Sequence, residues 1–165
     1  GLGALPSGSG TLFADSTSQK IFEYTISDSE LTPMTNKRVF AEIDSALGIP
    51  DGLAIDSEGG CWIALWGGGK VVRLNPSGEI DCQIEIPTPN PTSCAFDSEH
   101  NLWITSATET LVHADLNARG AGGVWMVPSK IHKAKGLTPH IARLKIDANL
   151  ISQATLRLQL LSARS

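Results

Sequence analysis

One six-residue unit is used twice in this chain. Leu53-Ala54-Ile55-Asp56-Ser57-Glu58 returns as Cys94-Ala95-Phe96-Asp97-Ser98-Glu99, and the following Trp62-Ile63 returns as Trp103-Ile104 at the same offset. The frame extends backwards as well. Gly52-Leu53 matches Gly1-Leu2, and after a one-residue gap Ile63-Ala64 matches Phe13-Ala14 and Lys70-Val71 matches Lys20-Ile21. A period of about 40–50 residues with several apolar runs per unit is the spacing of propeller blades, small sheets that bury their faces only against one another. A sandwich does not repeat in this way.

The runs inside each unit read as strands. TLFADS, KIFEYTIS, RVFAEI, LAID, CWIALW, KVVRLN, CQIEIP, SCAFD, LWITSA and GVWMVP are rich in Val, Ile, Phe and Trp and are separated by Gly, Pro, Asn and Ser clusters. Almost nothing has helical spacing. In a propeller the innermost strand of each blade starts beside the central channel, and that strand is here GLGAL, GLAID or SCAFD. The residue just ahead of it faces the channel mouth. In the second unit it is Asp51 and in the third Thr92; in the first it is the residue before Gly1.

Composition removes several classes of function. The 165 residues, 41% hydrophobic and 18% charged, suit a domain with a sizeable core. A net charge of −4 with thirteen scattered basic residues argues against a nucleic-acid surface, which needs clustered Lys and Arg. No apolar run approaches the roughly 18 residues of a membrane span, and no signal-peptide pattern opens the chain, which begins at Gly1. No membrane partner is expected. Cys61, Cys82 and Cys94 are an odd number without a CxxC pair, and they read as reduced thiols used as small hydrophobes. A reducing compartment, the cytoplasm, follows from that reading.

The segments IPDGLAIDSEGGCWIALWGGGKVVRLNPSGEI, PTSCAFDSEHNLWITSA and AGGVWMV carry a resemblance, in this order, to the C-terminal half of the regucalcin (senescence marker protein), gluconolactonase and luciferin-regenerating enzyme family. The PDGL-x-x-D-x-E-G-x-x-W-x-A and G-G-x-V-x-R-L-x-P-x-G stretches are the specific part. The resemblance implies an all-β, six-bladed propeller about twice this length, of which about three blades lie in residues 1–144, with 145–165 as an unmatched tail. It also implies a hydrolase of sugar lactones or related acid lactones, with one divalent metal ion (Ca²⁺, Mg²⁺, Mn²⁺ or Zn²⁺) at the channel. Of the implied ligands, a Glu, an Asn and the Asp of PDGL, only Asp51 lies in this chain; the Asn corresponds to the position before Gly1.

Asp51 is therefore the candidate metal ligand and catalytic residue, orienting a water or taking its proton. From Pro-Asp-Gly alone the expectation is different, a turn in which Asp bonds its own backbone. The repeat register and the family segments favour the ligand. Pro50 would fix φ, and Gly52 would remove side-chain bulk that could crowd the carboxylate.

Other residues read as structural. Asp56 and Asp97 recur at matching blade positions ahead of Ser-Glu, where turns close the first hairpin of a blade, and Asp15 either is solvated or fixes a loop near the channel face. Gly67-Gly68-Gly69 lacks the Lys-Ser/Thr and helix of a phosphate loop and reads as a hairpin. His100, His113, His132 and His140 have no metal-ligand spacing, and His113 reads as a surface residue. Ser93 and Ser106 lack a G-x-S-x-G elbow. Trp62, Trp103 and Trp125 are expected to pack blade against blade, while Trp66 beside the Gly run is freer.

The tail KIDANLISQATLRLQLLSARS departs from the family. Leu156, Leu158 and Leu160 alternate with polar residues as in a half-buried strand, whereas Leu150, Ile151 and Ala154 fit a short helix equally well. Three blades also leave two blade faces uncovered, so self-association or instability is expected. Two functional classes follow: a metal-dependent lactone hydrolase acting on a small-molecule lactone, or a non-catalytic calcium-binding or interaction propeller with an incomplete metal site.

Overall fold

The computed structural model describes residues 1–26, 34–108 and 120–137. His113, His140 and the tail 145–165 lie outside the described residues. Among the described residues, eleven strands form three antiparallel sheets. Blade 1 is β1 (Leu2–Ala4), β2 (Gly10–Asp15), β3 (Lys20–Ile26) and β4 (Met34–Glu42), in that order. Blade 2 is β5 (Ile49–Ile55), β6 (Cys61–Trp66), β7 (Lys70–Leu74) and β8 (Ile80–Glu85). Blade 3, among the described residues, is β9 (Pro91–Phe96), β10 (Leu102–Ser106) and β11 (Val124–Val127). Each is a consecutive antiparallel meander.

The repeat inferred from sequence coincides with the pairing register. Leu2 lies opposite Phe13, Leu53 opposite Ile63 and Cys94 opposite Ile104, so the three frames occupy one position in three sheets. Strand alternation then gives each blade two faces. The front of blade 2, with Leu53, Ile63, Val72 and Leu74, packs on the back of blade 1, with Leu12, Ala14, Ile21 and Ala41. The front of blade 3, with Cys94, Leu102 and Ile104, packs on the back of blade 2, with Trp62, Ala64 and Val71. These two seams are the core. Burying each such side chain contributes roughly 1.5–3 kcal/mol, so blade stability lies in the seams rather than within any one sheet.

Trp62 is fully buried in the second seam, edge-on to Phe96 at 6.0 Å and to His132 at 5.4 Å. His132 belongs to a single helical turn, α1 (Ser129–His132), after which the chain crosses back to blade 2. There Ser57 N donates to Lys135 O at 2.7 Å, and Gly136 bridges Asp56. This strap ties blade 3 to blade 2 with backbone hydrogen bonds. Trp103 repeats Trp62 in position but is 43% exposed, because no described blade covers the back of blade 3. Its expected blade-to-blade packing is thus found for Trp62, and for Trp125 in the same seam, but not for Trp103.

Candidate functional site

Asp51 sits inside β5, not in a turn. Pro50 pairs with Leu65 and Leu53 with Ile63, so Asp51 and Gly52 together oppose the single residue between them and form a bulge. The tripeptide suggested a Pro-Asp-Gly turn; pairing of both flanking residues with β6 overrides that local preference. The bulge re-aims one side chain at the start of an innermost strand. Pro50 itself is fully buried, and its carbonyl accepts the Ser16 hydroxyl at 2.7 Å.

The role of Gly52 also differs from the one expected. A Cβ there would overlap the Ser93 side chain and come within 2.6 Å of Ser93 Cα. Gly52 therefore admits the neighbouring inner strand β9, and it does so at the repeat position that Gly1 occupies in blade 1. A Cβ on Gly1 would lie 2.7 Å from Asp51 O and 2.6 Å from Leu53 N. Small residues at this level bring β1, β5 and β9 together around one axis.

Asp51 is half-buried, and no described residue donates a hydrogen bond to its carboxylate. Desolvation pushes its carboxyl above the ordinary value. It contrasts with Asp56 and Asp97. Burial alone would raise the Asp56 carboxyl, but hydrogen bonds from Arg73, Trp62 and Gly60 outweigh it and hold the group low. The Trp103 and Asn101 side chains hold Asp97 at about 2. Both accept from the backbone two and four residues on, as hairpin-closing residues should.

Ser16 reaches the start of β5 from blade 1. Asp15 Oδ1 accepts from Thr17 N at 3.1 Å and Ser18 N at 3.3 Å, pinning the β2–β3 turn from which Ser16 reaches Pro50. Thr92, the repeat equivalent of Asp51, shares a hydrogen bond with Thr105 at 2.7 Å. Ser16 escaped the sequence reading, since a Ser in ADSTS looks like any polar turn residue. Gly67, Gly68 and Gly69 form the β6–β7 hairpin as expected.

A hard cation accepts oxygen ligands, so a half-buried carboxylate with no described hydrogen-bond donor suits one in kind. In number it does not suffice: among the described residues no group of three His, Cys, Asp or Glu side chains is placed to hold a metal. Two grooves among the described residues do not include Asp51 in their linings. One, with Leu5, Phe40 and Pro76, contains the Arg38–Glu23 ion pair, and the other contains Arg73, Asp81 and Cys82. No described helix is long and apolar enough to cross a membrane.

A family model for the SMP-30/Gluconolactonase/LRE-like region matches residues 1–108. An L-arabinolactonase of Azospirillum brasilense is 36% identical over 132 residues, covering 78% of this chain and 43% of its own length. A regucalcin of Gallus gallus is 31% identical over 134 residues with the same coverage. A crystal structure of a calcium-binding protein, regucalcin, from Agrobacterium tumefaciens superposes with a TM-score of 0.75 at 26% identity, over 87% of this chain and 48% of that one. The chain spans less than half the length of these relatives. With three sheets stacked as propeller blades, the repeat register intact and the family match over most of the described residues, the chain belongs to the SMP-30/gluconolactonase/LRE-like family.

Proposed function

We propose that the protein carrying this segment hydrolyses sugar lactones, and that Asp51 is the segment's contribution to a divalent-cation site at the channel mouth. The observation that carries this reading is the Asp51 carboxylate itself. It is half-buried, shifted upward by desolvation and left without a described hydrogen-bond donor, whereas Asp56 and Asp97 are fully engaged. Titratable groups perturbed in this way concentrate at functional sites. Membership of a family that includes an L-arabinolactonase supplies the substrate class.

A divalent cation bound there would supply positive charge for the oxyanion formed at the lactone carbonyl and would acidify a water. The chain's own residues have simpler duties. Asp51 orients the attacking water and accepts its proton as the new C–O bond forms; the ring C–O bond then breaks, and the proton passes to the departing ring oxygen. Ser16, through Pro50 O, holds the start of β5 in place while this happens. The remaining ligands come from outside the described residues. Residues 1–144 constitute the propeller portion on this reading, and 145–165 an addition to it.

The test is lactone turnover by the natural protein that carries this segment, measured by pH-stat with an aldonolactone substrate, with and without chelator. Asp51→Asn is expected to lower kcat/KM at least 100-fold and to weaken Mn²⁺ or Ca²⁺ binding by calorimetry. Turnover and cation binding both unchanged in Asp51→Asn would overturn the role given to Asp51, and no lactone turnover by the unaltered protein would leave the non-catalytic reading in its place.

A further inference from the structure

One position of the repeat is filled differently in blade 3. The residues directly ahead of Leu2, Leu53 and Cys94, which share a register position, are Gly1, Gly52 and Ser93. Glycine meets the close approach of the inner strands in blades 1 and 2, so packing alone does not ask for more in blade 3. Ser93 is larger, and its side chain lies over Gly52. A Cβ on Gly52 would be 2.2 Å from Ser93 Oγ and 2.4 Å from Ser93 Cβ. This contact joins β5 to β9 inside the seam between blades 2 and 3, with a described blade on each side.

The Ser93 hydroxyl stands out among its neighbours. Thr11 Oγ1 donates to Gly3 O, Ser16 Oγ to Pro50 O and Ser106 Oγ to Gly123 O, while Thr92 Oγ1 and Thr105 Oγ1 bond each other. Ser93 is half-buried and its carbonyl accepts Thr105 Oγ1 at 3.5 Å, yet no described residue bonds its Oγ. The Asp51 carboxylate, on the residue just before Gly52, is unbonded among the described residues in the same way. Nor do these two groups bond each other, which leaves both free for a third molecule. An ionised carboxylate only accepts, whereas a hydroxyl both donates and accepts. An alcohol needs both from its partner.

We propose that Ser93 is a specificity residue of the lactone site, its hydroxyl exchanging a hydrogen bond with a ring hydroxyl of a polyhydroxylated lactone whose carbonyl is held at Asp51. This rests on the lactonase reading above and adds which part of the substrate the chain reads. A lactone without hydroxyls leaves Ser93 Oγ unpaired, and a site built to bond a substrate hydroxyl disfavours the analogue that lacks it.

The test is pH-stat turnover by the natural protein that carries this segment, with glucono-δ-lactone against δ-valerolactone and L-arabinono-γ-lactone against γ-butyrolactone. Members of a pair share a ring and differ in their hydroxylated substituents. Ser93→Ala and Ser93→Gly pack differently on Gly52, but both lack the oxygen. In both, the ratio of kcat/KM within a pair is expected to fall about 3–10-fold in favour of the hydroxyl-free ring, the size of one hydrogen bond. Ser93→Thr keeps a hydroxyl and should keep the ratio; circular dichroism checks that each variant is folded. An unchanged ratio in Ser93→Ala, an equal loss on both members of a pair, or a loss confined to Ser93→Gly overturns the role. So does weakened Mn²⁺ binding by Ser93→Ala in calorimetry, because the oxygen would then serve the cation rather than the substrate. Absence of turnover with all four lactones in the unaltered protein would overturn the lactonase reading itself, and this inference with it.

Discussion

Trp62 Nε1 donates to Asp56 Oδ2 at 2.9 Å in the buried seam between blades 2 and 3, and the same bond recurs one blade later from Trp103 to Asp97 at 2.8 Å. The Asp of each D-S-E turn accepts two backbone N–H groups at one oxygen and receives the indole of the following strand at the other. Turn and blade face are thus locked by one carboxylate. Asp56 adds Arg73, whose Nε donates at 2.7 Å and whose charge is shared with Glu58 and Asp81.

Asp56→Ala is expected to destabilise the chain by about 3 kcal/mol, the lower end for breaking a buried ion pair, because Arg73 keeps two exposed carboxylates. Asp97→Ala, at the open face, should shift the urea midpoint far less. Equal midpoints for the two variants would mean that burial does not set the strength of this latch.

The same carboxylates set an acid limit. Their folded values are depressed, so their contribution is present above the ordinary carboxylate value of 3.8 and is lost as pH falls through the folded one, about 2 for Asp97. Stability should fall between about pH 4 and pH 2. Asp97→Asn should flatten that slope, as read from urea midpoints across the range.

Asp51 has the opposite sign. Its raised folded value means that the ionised group opposes folding above that value, and that the penalty is absent below 3.8. Asp51→Asn should therefore raise the thermal midpoint at pH 7, with the gain vanishing near pH 3. A gain alongside lost cation binding is the pattern of a residue kept for function at the expense of stability.

Gly52→Ala should destabilise by about 1–3 kcal/mol, the usual range for overpacking, because Ser93 backbone and not only side chain stands in the way. Adding Ser93→Gly should restore part of the loss. Full additivity of the two changes in thermal melts would show that β5 and β9 do not touch at this level.

Thiol labelling should separate the three free cysteines. Burial pushes the Cys94 thiol up to about 12 and Cys61 higher still, and Cys94 Sγ also donates to Trp62 O at 3.3 Å. Cys82, half-buried on β8, is raised less and is open to reagent. One thiol should react slowly with a disulfide reagent at pH 8 in the folded chain, and three at once in denaturant.

The repeat, the strands and the hairpin-closing roles of Asp56 and Asp97 could all be read directly from residue order, because they rest on local periodicity and turn chemistry that each unit carries within itself. Asp51 was singled out as the candidate in the same way, from register and a family motif. The rest was decided between blades. Gly52 is small because Ser93 approaches from another blade, Asp51 lies in a bulge because β6 pairs on both sides of it, and Ser16 matters because its hydroxyl reaches Pro50 from blade 1. Trp62 and Trp103 share the Asp-Ser-Glu and Trp-Ile frame and the same hydrogen bond, yet one is buried and the other exposed. Burial belongs to the neighbouring blade, and residue order within a single unit does not encode what covers it.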